Sequence, residues 1–161
     1  MKFILSSIFL LLLAPCNHPK DTSSSKTTAN NKVMIIYQPG ACFGRCPEYI
    51  LTIDGEKKIS TFKSIKNTEK TGTFTKPVSD KELTDFVTAF ENAKFNSLEN
   101  EYLGNITDFP IKSISYTNNA NTKTIKIRSG APEVLNSIDR SLRQYAESTE
   151  DWKKSEEVEN H

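Results

Sequence analysis

Residues 33–37 form a continuous β-branched and aromatic run that stops at Gln38, Pro39 and Gly40, a turn signal, and so predict a first strand. Beyond a cysteine-bearing loop, Tyr49, Leu51 and Ile53 alternate with Ile50 and Thr52 as a second strand. Asp54 and Gly55 carry the turn chemistry for a hairpin into a third strand over residues 58–65, and a short fourth strand at 71–75 follows the polar turn near Asn67. These four segments predict an antiparallel β-meander. The period then changes. Ser79 followed three residues later by Glu82 is a capping box, and Leu83, Phe86, Val87, Phe90 and Ala93 recur at helical spacing, which predicts an amphipathic helix over 80–94.

Residues 95–108 read as a long irregular connection with apolar anchors at Leu98 and Tyr102, the kind of segment that often displays binding residues. A second hairpin pattern covers 111–116 and 122–128 around a turn at 118–121. After Gly130, Pro132 suits the first turn of a closing helix whose Val134, Leu135, Ile138, Leu142 and Tyr145 share one face. The expectation is one α+β domain over 33–146 in the order β-β-β-β-α-β-β-α, the meander and hairpin packing against the two helices. Residues 147–161 are expected to be a charged, frayed tail, with Trp152 docking its last turn.

The start of the chain has another character. Met1 and Lys2 make a short positive region, and residues 3–13 are apolar except for Ser6 and Ser7. A bilayer-spanning helix needs roughly 20 apolar residues, so this run fits an export signal rather than an anchor. Leu13, Ala14, Pro15 and Cys16 resemble the lipobox of bacterial lipoproteins, in which the Cys becomes the lipidated first residue; Pro15 stands where that box usually has Gly or Ala. The alternative is a plain secretory signal cleaved nearby, with Cys16 incidental. Residues 17–32 are Ser, Thr, Asn and Lys with almost no apolar side chain, a composition that predicts a flexible tether reaching roughly 20 to 24 Å. On this reading residues 1–16 are the signal, 17–32 the tether, and the lipid on Cys16 moors the domain to an envelope membrane.

Charge narrows the partners. The chain has 21 Lys and Arg against 20 Asp and Glu, and losing Lys2 with the signal leaves 20 against 20. A neutral balance argues against a nucleic acid, whose binding rests on a basic face. Both histidines, His18 and His161, fall outside the predicted domain, so an imidazole base is not expected, and no phosphate-binding glycine loop or dinucleotide fingerprint appears. Acids remain: Glu48, Asp54, Glu101 and Asp108 are the carboxylates on which a small hydrolase would have to be built. Neither a cofactor nor a metal site is expected, because no histidine lies near the cysteines in sequence.

The segment 40–49 carries the only motif above background. Cys42 and Cys46 would lie about 13 Å apart in an extended chain, so bonding them requires the loop to curl back, for which Gly44 offers the freedom. A ring this small contributes only about 2 kcal/mol in the chain-entropy model, shaping a local turn more than the whole fold. A structural disulfide is the main reading. The sharper alternative is thiol redox chemistry at Cys42 and Cys46, although oxidoreductases use Cys-x-x-Cys at a helix N-terminus and this pair leads into a strand.

The segment CFGRCPEYILTIDG, with the strand at 33–37 before it, resembles the bacterial envelope family known as domain of unknown function 6438, whose members share a Cys-Phe-Gly-x-Cys-Pro-x-Tyr signature ahead of a hairpin. The resemblance runs on through Phe95, Tyr102, Asp108 and Pro110, and many such proteins look like lipoproteins of the Bacteroidetes type. It implies no catalytic residue. Sequence thus points to a non-enzymatic, lipid-anchored interaction module with an envelope protein or glycan as partner. Its candidate contact residues are Phe43, Arg45, Tyr102 and Asp108; the thiol-redox and carboxylate-hydrolase readings stay open beside it.

Overall fold

Period-two alternation decides which side of each strand is buried. In the computed structural model, which describes residues 32–155, Val33, Ile35 and Tyr37 of strand β1 (Val33–Gln38) are buried while Met34 and Ile36 are half-buried on the opposite face. The same alternation buries Tyr49, Leu51 and Ile53 of β2 (Glu48–Asp54), then Ser60 and Phe62 of β3 (Ile59–Lys66). With β4 (Thr73–Pro77) these strands form the expected meander of antiparallel neighbours. The β2–β3 turn works differently from the sequence reading. Asp54 Oδ1 accepts from the Glu56 and Lys57 amides at 3.1 and 2.9 Å, and the left-handed residue is Lys58 rather than Gly55.

Helix α1 (Asp80–Asn92) starts at the capping box: Glu82 N–H donates to Ser79 Oγ at 3.2 Å, and Ser79 N–H to Glu82 Oε2 at 2.9 Å. The long connection that follows is more ordered than its composition suggests. It holds a single 3-10 turn (Phe95–Ser97) and a two-residue strand, β5 (Glu101–Tyr102). The second hairpin, β6 (Lys112–Asn118) and β7 (Asn121–Ile127), turns at Asn119 in the left-handed region. Helix α2 (Glu133–Glu147) buries Leu135, Ile138, Leu142 and Ala146, and Pro132 sits at its N-cap rather than inside its first turn. Lys70 Nζ donates to the carbonyls of Ala146 and Ser148, each at 2.8 Å, and so caps the C-terminal end of α2.

The sheet order is β5-β7-β6-β1-β2-β3-β4 with the two-residue strand β8 (Lys153–Lys154) after β4; β1 lies in the middle and only the β5–β7 pair is parallel. Both helices cover one face, which the inward side chains of six strands, β1–β4, β6 and β7, reach. Ile35 lies opposite Ile53 and Tyr116, Tyr37 opposite Leu51 and Ile114, and Phe62 opposite Phe74. Phe90 of α1 stacks on Tyr116 of β6 at 4.4 Å between ring centroids, and Tyr145 of α2 meets Phe86 of α1 at 5.2 Å. The other face, with Met34, Ile36, Ile50 and many Ser and Thr, carries neither helix.

At the end of the chain Trp152 docks on the last turn of α2 as expected, but the residues after it, 153–154, are ordered rather than frayed. Trp152 packs against Phe62 and Tyr145 at 6.0 and 6.1 Å, and the next residues form β8 (Lys153–Lys154) along the open edge of β4. One half-buried indole accounts for this. Its apolar contacts offset the ordering cost of the two lysines that follow and place them where β4 can bond them. Residues 156–161, like the signal, Cys16 and tether expected within 1–32, lie outside the described residues apart from Lys32.

Candidate contact site at the disulfide corner

The β1–β2 loop is closed by a Cys42–Cys46 bond with the Cα atoms 5.8 Å apart. The residue that lets the chain bend into this ring is Gly40, at φ +78°, and Gly44 does not take a left-handed conformation. A Cβ on Gly40 would lie 2.2 Å from the carbonyl oxygen of Ile111, so the disulfide loop runs directly against the segment that enters β6. Gly104 makes the matching contact on the other side: it too is left-handed, and a Cβ there would meet Ser129 Oγ at 1.9 Å. Two loops distant in sequence are thereby pinned into one corner.

The corner is apolar at its surface. Phe43, at the tip of the ring, is 99% exposed, and Ile106, Phe109 and Ile111 beside it are also exposed. Phe43, Phe109 and Ile111, with Asp108 and Arg128, border a shallow cleft of about 400 Å³. Arg45 is exposed on the same loop. Of the residues singled out from sequence, the structure therefore brings Phe43 and Asp108 to one cleft with Arg45 nearby. Tyr102 is elsewhere: it is half-buried against the core and its hydroxyl accepts from the Glu99 amide at 3.0 Å.

Behind the disulfide lies a second cleft of about 350 Å³. Its apolar walls include Pro39, Pro47 and Phe109, and its polar lining is Lys112, Arg128, Arg143 and Glu147. The buried carboxylate of Asp139 anchors two of the cations, since Lys112 Nζ lies 2.5 Å from its Oδ2 and Arg143 Nη2 3.6 Å. Its Oδ1 accepts the hydroxyl of Tyr37 at 2.9 Å, and Tyr49 donates to Glu147 at 3.4 Å. Burial pushes the phenols of Tyr37 and Tyr49 far above the usual tyrosine range; the charge of Asp139 adds to the first, and Tyr37 followed by Glu147 to the second. Both tyrosines are thus protonated donors, suited to holding carboxylates in place rather than to accepting protons.

Arg128 borders both clefts. Its Nη1 reaches the Ile106 carbonyl at 3.4 Å, its Nε is shielded from solvent with no acceptor, and among the described residues no carboxylate comes within ion-pair distance. Sequence reasoning missed Arg128, Arg143, Phe109 and Ile111. No local signal marks them, because what they share is position after folding.

The acids are dispersed. Asp54 ends β2 on the side away from the disulfide and pairs with Lys57 at 3.5 Å, while Glu101 pairs with Lys126 at 2.9 Å on the β5 edge. Among the described residues no cluster of three His, Cys, Asp or Glu is placed to hold a metal ion, and no helix is long and apolar enough to cross a membrane.

Fold and site together define an α+β domain with one sheet face under two helices and a disulfide-closed apolar corner at one end. The chain belongs to the family described as Domain of unknown function (DUF6438), whose model matches residues 33–146, from the first residue of β1 to the last turn of α2. No curated protein and no solved structure matches it.

Proposed function

We propose that this chain is a binding module of a bacterial envelope, moored by a lipid on Cys16, and that it meets another envelope protein through the disulfide corner. The observation that carries the reading is Phe43: a phenyl ring 99% exposed on a ring closed by Cys42 and Cys46. Exposing a large aromatic costs solubility, and fixing its loop removes much of the entropy that binding would otherwise lose. Exposed Ile106, Phe109 and Ile111 extend the apolar surface, and Arg45 adds the residue type that most often accompanies aromatics in energetic hot spots. The partner this composition suits presents apolar side chains with acidic neighbours.

The test is site-specific photocrosslinking in intact cells, with p-benzoylphenylalanine at position 43 or 109 and at position 61 on the uncovered sheet face. The same protein adduct from 43 and 109, absent from 61, is expected. No protein adduct at the corner, or one equally strong from 61, overturns the reading. The anchor is tested separately: mass spectrometry of the mature N-terminus should find an acylated Cys16, and Cys16→Ser should release the protein from membranes. An unacylated, uncleaved N-terminus rules the anchor out.

A further inference from the structure

We infer that the cleft behind the disulfide is a receptor for a single carboxylate carried beside an apolar group, and that Arg128 binds it. This rests on the corner being a contact face, and it specifies the occupant: an acidic residue of the partner's docking segment.

The first support is the balance of charge. Three cations, Lys112, Arg128 and Arg143, face two anions, Asp139 and Glu147. Asp139 takes up Lys112 and Arg143, which leaves Arg128 as the cation without a counter-charge among the described residues. Its shielded Nε has no acceptor, and its one hydrogen bond, to the Ile106 carbonyl, is long at 3.4 Å. A guanidinium partly withdrawn from water and left uncompensated is unfavourable, and a carboxylate presents two oxygens in the geometry of its fork.

The second support is selectivity. Glu147 on the wall and Asp139 behind it oppose a dianion such as phosphate, whereas one negative charge neutralises the cleft. Pro39, Pro47, Phe109 and Pro110 supply an apolar wall beside the charge. Because Phe109 and Arg128 border both clefts, a segment resting an apolar side chain on Phe43 and Phe109 can place an adjacent carboxylate at Arg128.

The experiment follows the arginine Nε–Hε signals of the labelled full-length protein by NMR, with Arg128 assigned through Arg128→Lys. Three probes are titrated: N-acetylphenylalanine, its amide, and inorganic phosphate. A saturable shift of the Arg128 signal is expected with the free acid, at least about tenfold weaker with the amide and with phosphate. Arg128→Gln should abolish the accompanying shifts of the Phe109 and Ile111 amides, while Arg140→Gln, on the outer surface of α2 and outside both clefts, should leave them. An unresponsive Arg128 signal, an equal response to amide or phosphate, or binding that survives Arg128→Gln overturns the inference. A crosslinked partner at position 43 alongside a silent Arg128 rejects this inference alone; a responsive Arg128 with no crosslinked protein keeps the carboxylate site and rejects the protein contact.

Discussion

Tyr37 of β1 donates its hydroxyl to Oδ1 of Asp139 on α2 at 2.9 Å, joining residues 102 positions apart in the chain. The other oxygen of that carboxylate holds Lys112 at the start of β6, so one buried acid ties the central strand, the second hairpin and the closing helix together beside the cleft. Removing any one partner leaves the others with unmet hydrogen bonds in a dry place.

Asp139→Ala should therefore cost about 3–5 kcal/mol, since Lys112 is left without its counter-charge in a largely buried site. Tyr37→Phe should cost about 1.5–3 kcal/mol, the range for a hydrogen bond to a charged acceptor. Urea unfolding of both singles and the double variant checks the pair. Simple additivity would mean that the bond contributes nothing of its own.

Alkaline pH should unfold the protein through its tyrosines. Burial pushes Tyr145 up to about 12, against the 2.8 Å hydrogen bond with Ser60 and with help from Glu82; burial is also the main cause of the raised values at Tyr37, Tyr49 and Tyr116. Each phenol holds its proton more tightly in the folded chain than in the unfolded one. The resulting stability is whole below the unfolded value of 10.0 and is lost as pH rises from there through about 12 for Tyr145. Phenolate absorbance should rise together with loss of circular dichroism, and Tyr145→Phe should flatten the alkaline limb. Phenolates forming in a chain that stays folded would contradict this.

Gly40→Ala should destabilise by about 2 kcal/mol or more, because the new Cβ meets the Ile111 carbonyl and the backbone there is left-handed. Gly44→Ala should stay within about 0.5 kcal/mol, its nearest neighbour being Cys42 Sγ at an ordinary 3.8 Å. Thermal melts of the two variants separate the roles of the glycines, and equal effects would refute the assignment.

Trp152→Ala should cost about 2–3 kcal/mol, less than a fully buried tryptophan, and free β8 from β4. The uncovered β4 edge should then promote self-association, measurable as a concentration-dependent sedimentation coefficient. A variant that remains monomeric with unchanged amide exchange at Thr73 and Thr75 would show that β8 does not guard the edge.

Sequence alone sufficed for the meander, the capping box at Ser79 and Glu82, the second hairpin and both helices. Periods of two and 3.6, and the chemistry of caps and turns, arise from contacts between residues a few positions apart. The Cys42–Cys46 ring was legible for the same reason, being local, and so was Phe43 at its tip. Only the tertiary structure decided that β1 would lie between β2 and β6, that Trp152 would draw β8 onto β4, and that the loops at 40–46 and 103–111 would meet. Those outcomes depend on which apolar faces can be buried together once all elements exist. No spacing in the chain encodes that Arg128 and Arg143, from β7's exit and α2, would line one cleft with Lys112: long-range packing brought three like charges together and gave two of them a single buried aspartate.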